Sequence, residues 1–348
     1  MKVVIVVVAV LGILAGVSSV WLSRPVFEGT LDERVFNAMS VAPREQAITL
    51  AVTTAGAVLL VTGADAEGVT AIDVSAATGQ SFEDAITAYA LVTEQGLRAL
   101  YDTVTAARYA WSTLDMPLAA GYPNIAAGTN YRAHAAEVGL DEEPFLFPKL
   151  SSPTRWDSAV LPGARLDYEV ELCAVPMTEY RSEAPATLGY LLCGDYTDRW
   201  VLVRELDLEG VMGRSGFPQA KGGDSRLPVG PLLVIPRTED FYRELQLSLY
   251  LNKQLRQQSL AGEMVWSPQQ VLARALADCE STYEAGPEII HIADCERIPA
   301  GTLLLTGTPA GVMFKLGTLW NPWAYLREGD VVTSFGTYLG YMRNEIGD

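Results

Sequence analysis

Two histidines, His134 and His291, and 42 acidic residues against 25 basic ones bound the chemistry open to this 348-residue chain. With so few imidazoles and four cysteines that form no CxxC pair, a zinc site of several histidines or paired thiolates is a poor fit, so any metal has to be held by oxygen. His134 and Glu137 stand three apart. On a helix they share one face, where the carboxylate orients the imidazole and raises its basicity, as a general base requires. An exposed helical histidine beside a solvated glutamate reads the same way locally. Leu166–Leu172 alternates like a strand and puts Glu169 and Glu171 on one face about 7 Å apart. A second short strand, Gly189 to Asp195, brings a third carboxylate. Three carboxylates repel unless something positive lies between them, and without an imidazole they describe a hard-cation site, magnesium or manganese. The alternative is an outward-facing acidic strand on an acidic protein.

The elements that position these residues are less regular in their signals. A content of 49% hydrophobic and 19% charged residues is globular, and the length suffices for one large domain or two ordinary ones. A net charge of −17 repels phosphate backbones and argues against a nucleic-acid partner. Val3 to Leu22 is an uncharged run behind Lys2, closed by Trp21 and Arg24, and long enough for a transmembrane helix. Residues 1–24 are therefore expected to be a single-pass anchor with the body outside the cytoplasm; a cleaved signal segment, giving a secreted or periplasmic protein, is the rival. Residues 25–118 suggest a small α+β unit, with strand-like alternation in Ala47–Val61 and Thr70–Val74 and an amphipathic stretch from Phe82 to Tyr109. Met116-Pro117-Leu118 and Gly121-Tyr122-Pro123 then read as a linker into a domain covering 119–348. Cys173, Cys193, Cys279 and Cys295 permit two local disulfides, Cys173–Cys193 and Cys279–Cys295, although reduced buried thiols are the expected state.

The segments GTNYRAHAAE, EEPFLFPKLSS, DYEVEL, the strand ending at Asp195, AKGGDSRLPVGP, LYLNKQLRQQ with MVWSPQQVLARAL, IPAGTLLLTGTPAGV and LREGDVV follow one another in this order. In that order they resemble the fumarylacetoacetate hydrolase family, in its C-terminal catalytic domain and nearest its acylpyruvate hydrolase and oxaloacetate decarboxylase members. The resemblance covers about residues 119–348. It implies a mixed α+β fold of rolled sheets, a sandwich-like roll with a few helices, usually a homodimer. It implies Mg²⁺ or Mn²⁺ on Glu169, Glu171 and Asp195, and His134 with Glu137 as the pair that activates water or abstracts a proton, on a segment that orders over the substrate. Lys221 matches the lysine of the family's K-S-F motif and Thr308 the second threonine of its T-G-T-P; with Tyr131 of the NYxxH segment they are implied in substrate binding, Lys221 also in catalysis. Departures lie at Asp195-Tyr196-Thr197-Asp198-Arg199-Trp200 and Lys221-Gly222-Gly223-Asp224, and they put the substrate pocket in question more than the metal.

The activity implied is hydrolysis of a C–C bond in a 2-oxo or 1,3-diketo acid, fumarylacetoacetate- or acylpyruvate-like, through a metal-stabilised enolate. Oxaloacetate-type decarboxylation and isomerisation of a 2-hydroxy-diene-dioate pass through the same intermediate. A catalytically silent, membrane-tethered oxo-acid-binding protein is the reading from another class.

Overall fold

The computed structural model describes residues 26–348 except 120, 122, 141, 142, 183 and 316. Its main feature grows from apolar runs too uniform for a half-exposed strand. Ala47–Thr53 (β1, AITLAVT), Val170–Pro176 (VELCAVP) and Leu188–Gly194 (LGYLLCG) are buried at every residue, so both faces of each must be covered. Numbered along the chain, the main path uses β1, β2 (Val58–Ala64), β3 (Gly68–Asp73), β4 (Ala107–Ala110), β5 (Asn124–Gly128), β6 (Phe145–Pro148), β7 (Val170–Pro176), β8 (Leu188–Gly194), β9 (Leu233–Pro236) and, further on, β12 (Leu303–Leu305). Their order in space is β4-β3-β2-β1-β9-β8-β7-β12-β5-β6, and three short side strands complete a thirteen-stranded sheet. Every pairing on this path is antiparallel except β12 with β5.

A four-stranded antiparallel sheet lies against β7 and β8. It contains β10 (Gln246–Leu251), β11 (Gln254–Leu260), β13 (Val331–Gly336) and β14 (Gly340–Glu345). Asn252 and Lys253 turn β10 into β11 with both φ positive, the conformation that two-residue hairpin loops favour. Helix α1 (Ala85–Thr103) packs on β1 and β2 and starts at Asp84, whose carboxylate accepts from Thr87 N–H. Helix α5 (Pro268–Ala277) opens with a capping box of Ser267 and Gln270. Three shorter helices, α2 (Arg132–Val138), α3 (Arg199–Glu205) and α4 (Phe217–Ala220), carry site residues.

Several expectations are corrected here. The fold is mixed α+β, but its main sheet does not roll up: the path has two ends, at β4 and β6, and no closed sandwich-like roll exists among the described residues. The physical reason is that β1 hydrogen-bonds to β9 in register from Ala47↔Pro236 to Leu50↔Leu233. The strands before residue 119 therefore extend the sheet outward. Among the described residues no helix is long and apolar enough to cross a membrane. The expected transmembrane helix, membrane partner and single-pass localisation find no such helix there, and the segment 1–24 that suggested them lies outside the described residues. The structure is of one chain and gives the expected homodimer no interface.

The cysteines also differ from expectation, because both local pairs are disulfides. Cys173 and Cys193 sit on neighbouring strands β7 and β8, where antiparallel pairing brings their backbones within bridging reach, with Cα atoms 5.8 Å apart. Cys279 and Cys295 close a shorter loop. Alkylating the unreduced protein under denaturing conditions should leave all four cysteines unlabelled by mass spectrometry. Labelling of any of them would contradict the pairing.

Candidate metal and catalytic site

Strands β7 and β8 run antiparallel in the register Val170↔Gly194 and Glu171↔Cys193. Glu169, just before β7, and Asp195, just after β8, therefore meet at one end, where Asp195 N–H donates to Glu169 O at 2.9 Å. One oxygen from each of Glu169, Glu171 and Asp195 lies within 4.8 Å of the others. Oxygens about 2.1 Å from a shared Mg²⁺ stand at most about 4.2 Å apart, so closing by a few tenths of an ångström makes one coordination sphere. All three carboxylates are buried.

Three cations share the cluster. Lys221 Nζ donates to Glu169 Oε2 at 2.6 Å and to Asp195 Oδ2 at 2.7 Å, which puts a positive charge between two of the ligands. Lys149 Nζ stands 2.8 Å from Asp195 Oδ1, outside hydrogen-bond geometry, and donates to the carbonyls of Lys221 and Arg226. Arg199 forks between Asp167 Oδ2 at 2.9 Å and Glu169 Oε1 at 2.5 Å. Local sequence explains the fork: Asp198 caps α3 by accepting from Trp200 and Val201 N–H, so Arg199 becomes the first helical residue. Asp167 in turn accepts from the N–H groups of Met313 and Phe314 and ties that loop to the cluster.

Four carboxylates thus face three cations, and the excess charge falls on Glu171. Burial, then the charges of Asp195 and Glu169, push its carboxyl well above the ordinary 4.5. Burial acts on Glu169 too, but Lys221 and Arg199 overcome it and hold that carboxyl down at about 2. Burial lowers the Lys149 ammonium, an effect that Asp195 opposes. For Lys221 the same penalty is outweighed by Asp195 and Glu169, and its affinity for the proton rises. A buried carboxylate without its own counter-charge, beside two others at coordinating distance, is what a hard dication would satisfy. The residues fit such an ion.

The loop after β12 closes the site from the side. Gly307 N–H donates to Glu171 Oε2 at 2.7 Å, and Thr306 and Thr308 hydroxyls donate to the carbonyls of Leu172 and Val170. Gly307 has φ +94° and stands where a Cβ would come 2.8 Å from Asn130 Cβ, so only glycine suits the turn. Buried Gln257 donates to Thr308 Oγ1 and Pro309 O and accepts from Val170 N–H, linking β11, the loop and β7. Buried Asn130 binds Trp266 and Thr306 backbone and fixes the segment ahead of α2.

Helix α2 places His134 and Glu137 on one face, with Nδ1 and Oε2 3.8 Å apart. Both side chains are buried, and His134 Nδ1 has no hydrogen-bond partner. Gly311 N–H donates to Glu137 Oε2 at 2.8 Å, and Lys315 Nζ lies 3.6 Å from Oε1. Burial raises the Glu137 carboxyl, yet His134 and Gly311 outweigh it and the net shift is downward. A cavity of about 360 Å³ opens beside the cluster and is lined by His134, Glu169, Glu171, Arg199, Lys221 and Thr308 among others. Tyr131 does not line it; its ring is buried with the hydroxyl unpaired, and burial makes the phenol a weaker acid, its pKa pushed well above the ordinary value. Asp141 and Glu142, from the expected lid, lie outside the described residues.

The expected residues therefore converge, with Tyr131, Glu137 and Asp195 set behind the cavity wall rather than in it. Sequence reasoning missed Asp167, Arg199, Lys149, Gln257 and Asn130. Each sits inside a segment already singled out (DYEVEL, DYTDRW, FPKLSS, LRQQ, GTNY), and its burial is the missing signal.

Comparison with known proteins bears on the family and the fold. The family described as fumarylacetoacetate (FAA) hydrolase C-terminal matches residues 124–347. Oxaloacetate tautomerase YisK of Bacillus subtilis is 26% identical over 238 residues, 64% of this chain and 69% of the relative. The 2,4-didehydro-3-deoxy-L-rhamnonate hydrolase of a Sphingomonas species is 29% identical over 238 residues, 64% of this chain and 73% of the relative. Among solved structures, fumarylacetoacetate hydrolase from Exiguobacterium antarcticum superposes with a TM-score of 0.61 at 19% identity, covering 86% of this chain and 99% of that one. At this identity the likeness concerns the fold.

The surplus carboxylate makes a testable trade. Glu171→Gln keeps the acceptor for Gly307 N–H and removes the charge. Because the folded-state value of Glu171 is raised above its ordinary 4.5, the wild type loses stability as pH climbs from there through the folded value. The metal-free variant should therefore melt a few degrees higher than wild type at pH 7, on the scale of about 1 kcal/mol. That advantage should vanish below about pH 4.5, where both states of the wild type hold the proton. Calorimetric titration should show Mn²⁺ affinity lost in the same variant. A less stable variant at pH 7, or one that keeps the affinity, would refute the assignment.

Proposed function

Since the chain belongs to the fumarylacetoacetate hydrolase family, matched over residues 124–347, we propose that it is a divalent-metal-dependent enzyme that moves a proton at the carbon beside the ketone of a 2-oxo acid. This is keto–enol tautomerisation or double-bond isomerisation. The family fold and the acidic cluster support metal-assisted chemistry at C–C bonds in general. The observation that carries the finer reading is the buried imidazole of His134, whose Nδ1 makes no hydrogen bond, set in the wall of the same cavity as Glu169 and Glu171.

Glu169, Glu171 and Asp195 would hold Mg²⁺ or Mn²⁺, which when bound supplies Lewis-acid polarisation of the 2-oxo group. His134 takes the proton from the neighbouring carbon and returns it. Glu137, fixed by Gly311 N–H, orients the imidazole and stabilises its protonated form; a 3.8 Å separation without substrate is the kind that tightens in the reactive complex. Lys221, once freed from bridging Glu169 and Asp195, is placed to meet the substrate's carboxylate as a point charge. Thr308 keeps the loop over Glu171 in place. The mostly apolar cavity wall limits water and so favours proton return over hydrolysis. The similarity to oxaloacetate tautomerase YisK supports the same reading.

Hydrolytic C–C cleavage of an acylpyruvate-like acid is the second reading, in which the His134–Glu137 pair activates water instead; the 29% identity with a 2,4-didehydro-3-deoxy-L-rhamnonate hydrolase favours it. Proton NMR in D₂O separates the two: with Mg²⁺ the protein should exchange the C3 protons of 2-oxobutanoate faster than it hydrolyses acetylpyruvate. His134→Ala should slow exchange by about 10²- to 10⁴-fold while leaving Mn²⁺ affinity within about twofold, since the imidazole acts in proton transfer. Exchange at the wild-type rate in that variant would remove His134 from the mechanism. Absence of exchange in the metal-loaded wild type would overturn the proposal.

A further inference from the structure

The cavity is charged at one end only. Among the described residues, the Asp, Glu, Lys and Arg side chains that line it are Glu169, Glu171, Arg199 and Lys221, and all four belong to the buried cluster. Away from that end the wall is hydrocarbon. Phe145, Phe147 and Phe217 form one side, with ring centroids 4.9–6.1 Å apart. Leu202, Leu206 and Met212, from α3 and the chain after it, form another. At the rim, Val203 and Leu208 are 40% and 84% exposed, apolar side chains kept in water beside the opening.

A dicarboxylic substrate would bring a second carboxylate into this part, and burying it there without a partner is costly. Arg199 is engaged by Asp167 and Glu169, and Lys221 stands at the cluster, where the substrate's first carboxylate goes. We infer that the substrate of this site is a 2-oxo acid with an uncharged, apolar tail of several carbons, alkyl or aryl, and that Phe145, Phe217, Leu202 and Met212 determine this specificity. The volume, about 360 Å³, is within the range of small-molecule pockets and leaves room beyond a three-carbon head group. The inference rests on the 2-oxo-acid reading above and adds the nature of the tail.

The test uses the Mg²⁺-loaded full chain and three probes with one head group: pyruvate, 2-oxooctanoate and 2-oxoadipate, titrated by calorimetry. Each buried methylene contributes about fourfold in affinity, so 2-oxooctanoate should bind at least tenfold more tightly than pyruvate and at least tenfold more tightly than 2-oxoadipate. Val203→Arg and Leu208→Arg, at exposed rim positions that tolerate charge, should each shift the ratio toward 2-oxoadipate by about tenfold while pyruvate affinity stays unchanged. Pyruvate binding together with 2-oxoadipate equal to or tighter than 2-oxooctanoate would overturn the apolar-tail inference and leave the 2-oxo-acid reading standing. No binding of any of the three would overturn that reading, and this inference with it.

Discussion

Seven ionisable side chains meet in one buried cluster: the carboxylates of Asp167, Glu169, Glu171 and Asp195 and the cations of Lys149, Arg199 and Lys221. Taking each ion out of water costs several kcal/mol, and only close pairing offsets it. Six of the seven have a counter-charge. Glu171 has a single backbone N–H and two like-charged neighbours. The fold therefore holds one buried carboxylate whose charge is disfavoured, and a dication between Glu169, Glu171 and Asp195 would relieve it. The Lys221 ammonium bridges two of these carboxylates, Glu169 and Asp195.

The rest of the structure serves this cluster. Pairing of β7 with β8 sets the spacing of the three carboxylates, and the disulfide between Cys173 and Cys193 ties the same two strands two residues below Glu171 and two residues before Asp195. Parallel pairing of β12 with β5 puts the loop carrying Gly307 and Thr308 next to the segment carrying Asn130 and His134, so His134 lines the same cavity as Glu169 and Glu171. Apolar side chains from α3, α4 and β6 line the rest of that cavity.

Much of the site was legible in the sequence because its signals are local. A period-two strand puts Glu169 and Glu171 on one face, a three-residue step puts His134 and Glu137 on another, and TGTP carries its turn glycine with it. What escaped depends on long-range pairing. Lys149 reads as one lysine in FPKLSS until Asp195, 46 residues later, is seen beside it, and Gln257 reads as a hairpin glutamine until it joins Val170 to Thr308. The sheet shows the same limit: nothing in Ala47–Thr53 announces β9, almost two hundred residues away, as its partner, so an open sheet looked like a separate unit beside a roll. The cysteines misled for a related reason. Buried thiols and a buried disulfide leave the same apolar pattern, and for Cys173 and Cys193 it is the pairing of β7 with β8 that brings the two within reach.

Proton release is the most direct probe of the central claim. If Glu171 holds a proton in the metal-free protein because burial and two neighbouring carboxylates disfavour its charge, a dication must displace that proton as it binds. Mn²⁺ titration by calorimetry at pH 7, repeated in buffers of different ionisation enthalpy, should give an observed enthalpy that varies with the buffer with a slope of about one proton released per ion bound. A slope of zero with tight binding would show Glu171 already ionised and the cluster already neutralised, and would contradict the account.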